Sequence, residues 1–480
     1  MAKDPTFWPS FLDSTLAING RTHLPRRAGA SLFFQLPPGD LFARPWFDRT
    51  TFALLKRLYF PLARLWAAAT AADGDLDRFI EEAALVRPSE RQLRAARAGL
   101  AAMVSAWRNY EDSSATWNQV FFGNDSADDR SLVETELARR RTSHTLVSCR
   151  SKFRPLRFGQ KITLVRYEVP TFAALEERYG DWLDDPETAY PAPSPMPEIE
   201  CSKQVPSTEG MVSWLRFPAP GRGVDDTAWA RMHEPADRPD APTLIYCHGL
   251  GEEQEMRHNF LDETAAAVRL GLRVIRLESP WHNRRIEKGY WSGEPMLGRA
   301  PMGVLDFFDA QIAEMAVLIG WCRDRYKTPV AVGGLSIGGM SAQLLGARAL
   351  RWPTALRPDA LFLAGTSEDM WEVCFDGAIG RAAGVGDAIW AAGWTEAELQ
   401  RVRQLTNPFG PCAVESANIV MKLGRVDTVM PFDRGRSLAE RWSVPEDNLF
   451  IRRQGHFTIP IAMVRNSRSL NRLADILHRM

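Results

Sequence analysis

Gly334-Leu335-Ser336-Ile337-Gly338 sets a serine between two glycines at the end of an apolar run that begins at Val330. If the run is a strand and the next segment a helix, the serine occupies a sharp turn whose Cβ-free neighbours let the two arms approach closely. The hydroxyl then points out of the sheet, at a helix N-terminus that favours developing negative charge. Two rival glycine-rich chemistries fail on spacing: a phosphate loop needs a lysine that does not follow here, and a dinucleotide turn needs G-x-G-x-x-G after an earlier strand. A tight turn without chemistry stays open until partner residues are found.

A serine hydroxyl needs a base within hydrogen-bond reach and an acid to hold that base's tautomer. Of the eight histidines, His456 in Gln454-Gly455-His456-Phe457 follows the last apolar run and so belongs on a loop at the same sheet edge. His23, His144, His233 and His478 have no such placement, whereas His258 and His282 fall in stretches open to a substrate role. Asp427 follows the run ending at Leu423 and stands 29 residues before His456, room for one helix and one strand between two loops. Glu368 and Asp369, after the preceding run, are the alternative acids. Acyl transfer also needs two amide donors for the carbonyl oxygen, worth a factor on the order of a hundred to a thousand. The Ile337 N–H supplies one, and the Leu250 N–H in Tyr246-Cys247-His248-Gly249-Leu250-Gly251 is the candidate for the other, with His248 propping that loop.

These residues need strands to carry them. Apolar, β-branched runs at 212–217, 243–247, 273–277, 330–332, 360–363, 418–423 and 448–451 alternate with helix-length segments, which predicts a parallel sheet covered on both faces. Ligands of such sheets bind beyond the carboxyl ends of the strands, where Ser336, Asp427, His456 and the loop carrying Leu250 fall. Residues 1–185 read as mainly helical and unrepeated, with three- and four-residue apolar spacing over Glu90–Ala106 and Ser131–Arg141. The Arg139-Arg140-Arg141 run is expected to cap a helix and face solvent. Prolines at 186, 191, 193, 195 and 197 mark 186–205 as an extended connector, leaving 206–480 as the catalytic domain.

Composition narrows the function classes. The 59 basic side chains cancel the 59 acidic ones, so no basic field exists to condense onto nucleic acid. The six cysteines are scattered without C-x-x-C pairs, predicting reduced thiols and no zinc site. An acid and two prolines near the N-terminus interrupt any leader-like apolar stretch, and Phe52–Ala72 carries three cations and Pro61, so it is expected to pack on the protein as an amphipathic helix. A cytoplasmic protein without an integral membrane segment is the expectation; nothing here sets self-association.

With His248-Gly249, Gly334-x-Ser336-x-Gly338, Asp427 and His456 in this order, residues 206–480 resemble the α/β-hydrolase superfamily. The resemblance implies an α/β fold with an eight-stranded, mostly parallel sheet, a Ser-Asp-His triad and no cofactor. Serine at 336 sets the chain apart from branches with aspartate or cysteine there, and the helical N-terminus from peptidases with an N-terminal propeller. The expected function is cleavage of a small-molecule carboxylic ester through an acyl-enzyme; thioesterase, amidase, acyltransferase and a non-catalytic binding protein are the alternatives. Two segments could shape the substrate site. Residues 366–412 carry Trp371, Trp390 and Trp394 and have the length of a helical cap insertion. Trp281, His282 and Arg284 follow another strand end, where Arg284 and Arg285 could bind a substrate carboxylate or pair with Glu287 and Glu294.

Overall fold

The computed structural model describes residues 42, 44–207, 209–236, 238–253 and 262–480. Ten strands form one sheet: β1 (Glu200–Cys201), β2 (Val205–Ser207), β3 (Gly210–Pro218), β4 (Thr227–Pro235), β5 (Thr243–Cys247), β6 (Arg273–Glu278), β7 (Val330–Leu335), β8 (Ala360–Ala364), β9 (Ile419–Gly424) and β10 (Leu449–Arg452). Their order is β1-β3-β4-β6-β5-β7-β8-β9-β10, with β2 paired to β3 off this path. From β6 to β10 every pairing is parallel, while β4 runs antiparallel to both β3 and β6. Setting aside the two short strands β1 and β2, eight strands remain, mostly parallel, as expected.

The parallel strands are apolar throughout because both faces are covered. Along β5, Leu244 and Tyr246 enter a core shared with the helices Ala265–Arg269 and Arg468–Leu477, whereas Ile245 and Cys247 face the other layer. That second layer is built on Met302–Tyr326 and Ile337–Arg348 and runs on without a break into the N-terminal helices through Trp66, Phe79, Leu100 and Phe153. The composition changes at 186–205, but the packing continues across it. Trp352 donates its indole N–H to the Tyr190 carbonyl (3.0 Å), and Trp291 and Trp394 donate theirs to the carbonyls of Leu164 and Pro170.

Three local expectations need correction. β4 was missed because Arg231, His233 and Glu234 interrupt its apolar pattern; as an antiparallel strand beside β3 it tolerates them. β7 extends past Val332 through Gly333 and Gly334, since a side chain at Gly333 would lie 2.4 Å from the Phe362 carbonyl oxygen of β8. The basic run at 139–141 does not cap a helix, which continues over Asp129–Ser148. Arg139 and Arg140 instead turn inward onto the buried Glu136, at 2.8 and 2.7 Å. Elsewhere the reading was close: Ser89 and Gln92 form a capping box at the start of Glu90–Phe122, and Thr395 and Glu398 do the same for Glu396–Thr406. None of the helices among the described residues is long and apolar enough to cross a membrane.

Arg285 is locked under the sheet edge by bidentate pairs with Asp226 (2.8 and 2.9 Å) and Glu314 (2.7 and 3.0 Å). Burial pushes the Glu314 carboxyl up to about 7, against the opposing pull of the Arg285 guanidinium. A carboxyl whose pKa is raised on folding favours the fold at low pH and loses that contribution as pH rises from its unfolded value through the folded one. Arg285→Ala should cost about 3–5 kcal/mol by leaving buried charge uncompensated. Thermal melts should show the loss larger at pH 8 than at pH 5, where Glu314 is protonated; a pH-independent loss contradicts the pairing.

Candidate active site

Ser336 lies between β7 and the helix Ile337–Arg348 with φ 60° and ψ −124°, a strained conformation for a residue carrying Cβ. Close packing holds it there. A Cβ at Gly334 would meet the Cys247 carbonyl oxygen at 2.4 Å, and one at Gly338 would meet the same oxygen at 2.3 Å. The Ser336 N–H donates to the Ala364 carbonyl at the end of β8 (2.9 Å), so the turn is tied to the strands on either side.

His456, on the loop after β10, has Nε2 3.0 Å from Ser336 Oγ and Nδ1 2.8 Å from Asp427 Oδ2. Asp427, on the loop after β9, is oriented by its other oxygen, which accepts the Val429 and Met430 N–H groups at 2.8 and 2.9 Å. All three side chains are buried. The alternative acids are engaged elsewhere: Glu368 pairs with Arg441 at 2.8 Å, and Asp369 pairs with Arg403 and caps the helix Met370–Phe375.

The loop after β5 runs alongside the nucleophile, for a Cβ placed on Gly249 would stand 3.4 Å from Ser336 Cβ. Two buried histidines shape this loop. His248 donates from Nδ1 to the Gly249 carbonyl (2.9 Å) and accepts the Ser279 N–H at Nε2 (3.2 Å). His282 donates from Nδ1 to the Pro280 carbonyl (2.8 Å) and accepts the Gly251 N–H at Nε2 (3.1 Å). Burial holds the His282 pKa well below the usual imidazole range, which keeps Nε2 an acceptor. Among the described residues, no protein acceptor takes the N–H of Leu250 or Ile337.

The substrate-region expectations fare differently. Trp281 is buried, and His282 is buried behind the Gly251 backbone with both ring nitrogens engaged within the fold. His248 likewise has both ring nitrogens engaged within the fold. Arg284 pairs with Glu278 and stacks between Trp117 and Trp229, each at 5.0 Å. A substrate carboxylate is therefore not its partner, nor are Glu287 and Glu294, which pair with Arg299 (2.7 Å) and Arg64 (3.3 Å). Trp371 and Trp390 line a cavity of about 380 Å³ between the helices of 370–406, with Asp369, Phe375 and Arg403 among its walls. Ser336 and His456 are not among the residues lining it. Trp394 ties this segment to the N-terminal region. His258 and His23 lie outside the described residues.

Sequence reasoning passed over Asp48 and Tyr59. Asp48, in the helix Pro45–Leu54, accepts the Phe457 N–H (2.6 Å) beside His456, and Tyr59 donates its hydroxyl to the Gly251 carbonyl (3.1 Å). Neither belongs to a motif, and their partners lie hundreds of residues away. Among the described residues, no cluster of three or more His, Cys, Asp or Glu side chains is arranged to hold a metal ion.

The antiparallel β4 beside β6, the order β6-β5-β7 and the tight turn after β7 define the architecture around Ser336. The fold is mixed α/β, with a large, mostly parallel sheet covered by helices. Solved structures align with part of this chain at low identity. Acetyl xylan esterase 1 from Thermoanaerobacterium sp. JW/SL YS485 aligns at 15% identity and TM-score 0.40, covering 62% of this chain and 95% of its own. Brefeldin A esterase, a bacterial homologue of human hormone sensitive lipase, aligns at 15% identity and TM-score 0.38, covering 66% and 90%. A prolyl endopeptidase aligns at 16% identity and TM-score 0.39, covering 58% and 39%. No protein-family model matches the chain, and no curated protein matches it.

The geometry of the turn at Ser336 makes a direct prediction. Gly338→Ala pushes a Cβ against the Cys247 backbone, which cannot swing aside, and should cost roughly 1–3 kcal/mol of stability. By displacing Ser336 it should also slow reaction with an active-site acylating reagent on the order of a hundredfold. Gly180→Ala, inside the helix Phe172–Asp184 with its nearest atom at 3.7 Å, is the control and should lower neither stability nor reactivity. A Gly338→Ala protein with unaltered melting and reactivity contradicts the close approach.

Proposed function

We propose that the protein is a serine hydrolase that cleaves a carboxylic ester of a small molecule through an acyl-enzyme. The observation that carries this reading is the single imidazole bridging Ser336 Oγ at 3.0 Å and Asp427 at 2.8 Å. In the first half-reaction His456 Nε2 takes the hydroxyl proton as Ser336 Oγ attacks the ester carbonyl, and Asp427 holds the Nδ1–H tautomer and favours the imidazolium. The N–H groups of Leu250 and Ile337 hold the oxyanion. Collapse breaks the bond to the alcohol, which leaves with the proton from His456. Water then enters, gives a proton to His456 and releases the acid, restoring Ser336. An ester asks less of this machinery than an amide, because its carbonyl is less resonance-stabilised and an alkoxide leaves a tetrahedral intermediate more readily than an amide anion.

The test is turnover on a matched panel of esters, thioesters, amides and acyl acceptors. Esters should be cleaved, Ser336→Ala should lose a factor on the order of 10⁶, and Asp427→Asn on the order of 10⁴, since the amide favours the wrong tautomer. For an uncharged ester kcat/KM should rise with pH through one ionisation, that of the base, which works only when neutral. Faster turnover of thioester, amide or acceptor names the related activity on the same residues. Turnover surviving in Ser336→Ala removes the proposal, and so does a failure to turn over anything.

A further inference from the structure

The helix Pro45–Leu54 is remote in sequence from every strand, yet it buries a carboxylate against the loop that carries the base. Asp48 is 5% exposed. Its Oδ1 accepts the Phe457 N–H at 2.6 Å, and the Thr458 N–H also faces it. On the other side of His456 the fit is as close: a Cβ on Gly455 would lie 2.2 Å from Asp48 Oδ2 and 2.3 Å from Cγ, so only glycine admits the carboxylate there. The residues immediately before and after His456 are thus both shaped to Asp48.

A buried carboxylate is costly without a matching cation, and the groups around this one do not include an ion-pair partner within the helix. Asp427 faces it and repels it; His456 faces it and attracts it when protonated. Arg49 of the same helix and Arg453 of the loop after β10 border the adjoining cavity of about 300 Å³, together with Pro45, Phe52, Val426 and Thr428. Burial dominates and raises the Asp48 pKa. The site tolerates this second acid next to the Asp427–His456 pair, which a purely structural hydrogen bond would not require, since a neutral acceptor could serve the Phe457 N–H equally well.

We propose that Asp48 is a positioning residue for the base: through the Phe457 N–H and the Gly455 backbone it fixes the His456 ring between Ser336 and Asp427, and its charge supports the imidazolium formed during acyl transfer. The N-terminal helix is then a working part of the active site. This inference rests on the hydrolase reading, but it can fail while that reading stands.

The experiment is the pH profile of fluorophosphonate labelling at Ser336, with kcat and KM for an uncharged ester, in the full-length wild type, Asp48→Asn and Asp48→Ala. Asp48→Asn keeps an acceptor for the Phe457 N–H and removes the charge. Its labelling rate should rise with pH at a midpoint below that of wild type, because the imidazolium has lost a neighbouring anion. Asp48→Ala loses both and should fall in kcat on the order of a hundredfold, the effect of a misplacement of about 1 Å, with KM little changed. A midpoint identical to wild type in Asp48→Asn overturns the charge role, and kcat within twofold of wild type in Asp48→Ala overturns positioning. If Asp48→Ala does not fold, the Asp48→Asn midpoint decides alone. Wild type that is not labelled at Ser336 overturns the hydrolase reading instead.

Discussion

The approach of the Ser336 turn to the carboxyl end of β5 is the constraint on which the rest of the site depends. One carbonyl oxygen, that of Cys247, sits within 2.3–2.4 Å of where side chains at both Gly334 and Gly338 would begin. Only a Cβ-free pair lets the elbow close to this distance, with the loop after β5 running beside Ser336 at Gly249. The strained φ of Ser336 is maintained by this packing and by the Ser336 N–H to Ala364 hydrogen bond. His456 then reaches the hydroxyl from the end of β10, and Asp427 reaches His456 from the end of β9.

Bracing of those loops comes from outside the sheet. His248 and His282 hold the β5 loop from behind, and Tyr59 holds it from the N-terminal helices. Arg150 stacks on Tyr59 and Trp66 and pairs with Glu253, extending the same support. Residues 45–184 therefore share one core with the sheet instead of forming a separate body: the Trp394 indole donates to the Pro170 carbonyl, and Arg178 pairs with Asp306. Where a long N-terminal region covers catalytic loops in this way, the precision of the site is a property of the whole chain.

What the sequence made legible follows from where the signal is local. Short apolar runs mark buried parallel strands, and the ends of three of them hold Ser336, Asp427 and His456, which the structure brings within hydrogen-bond reach of one another. β4 was illegible because an antiparallel strand beside an edge carries Arg231, His233 and Glu234 without penalty. The arginines at 139–140 and 284–285 misled for a different reason. A guanidinium looks exposed until its partner is known, and Glu136, Glu278, Asp226 and Glu314 are identified only once the helices and strands have packed. Asp48 and Tyr59 carry no local mark at all, since their roles arise from partners 409 and 192 residues away.

The central claim is that Ser336 is an activated nucleophile. Treating the purified protein with a fluorophosphonate near neutral pH and mapping the adduct by peptide mass spectrometry tests it most directly, since such reagents react quickly only with a hydroxyl whose proton a base removes. One adduct per chain, on the peptide containing Ser336 and absent from Ser336→Ala, is the predicted result. Equal labelling of both proteins, or an adduct on a different residue, would contradict it.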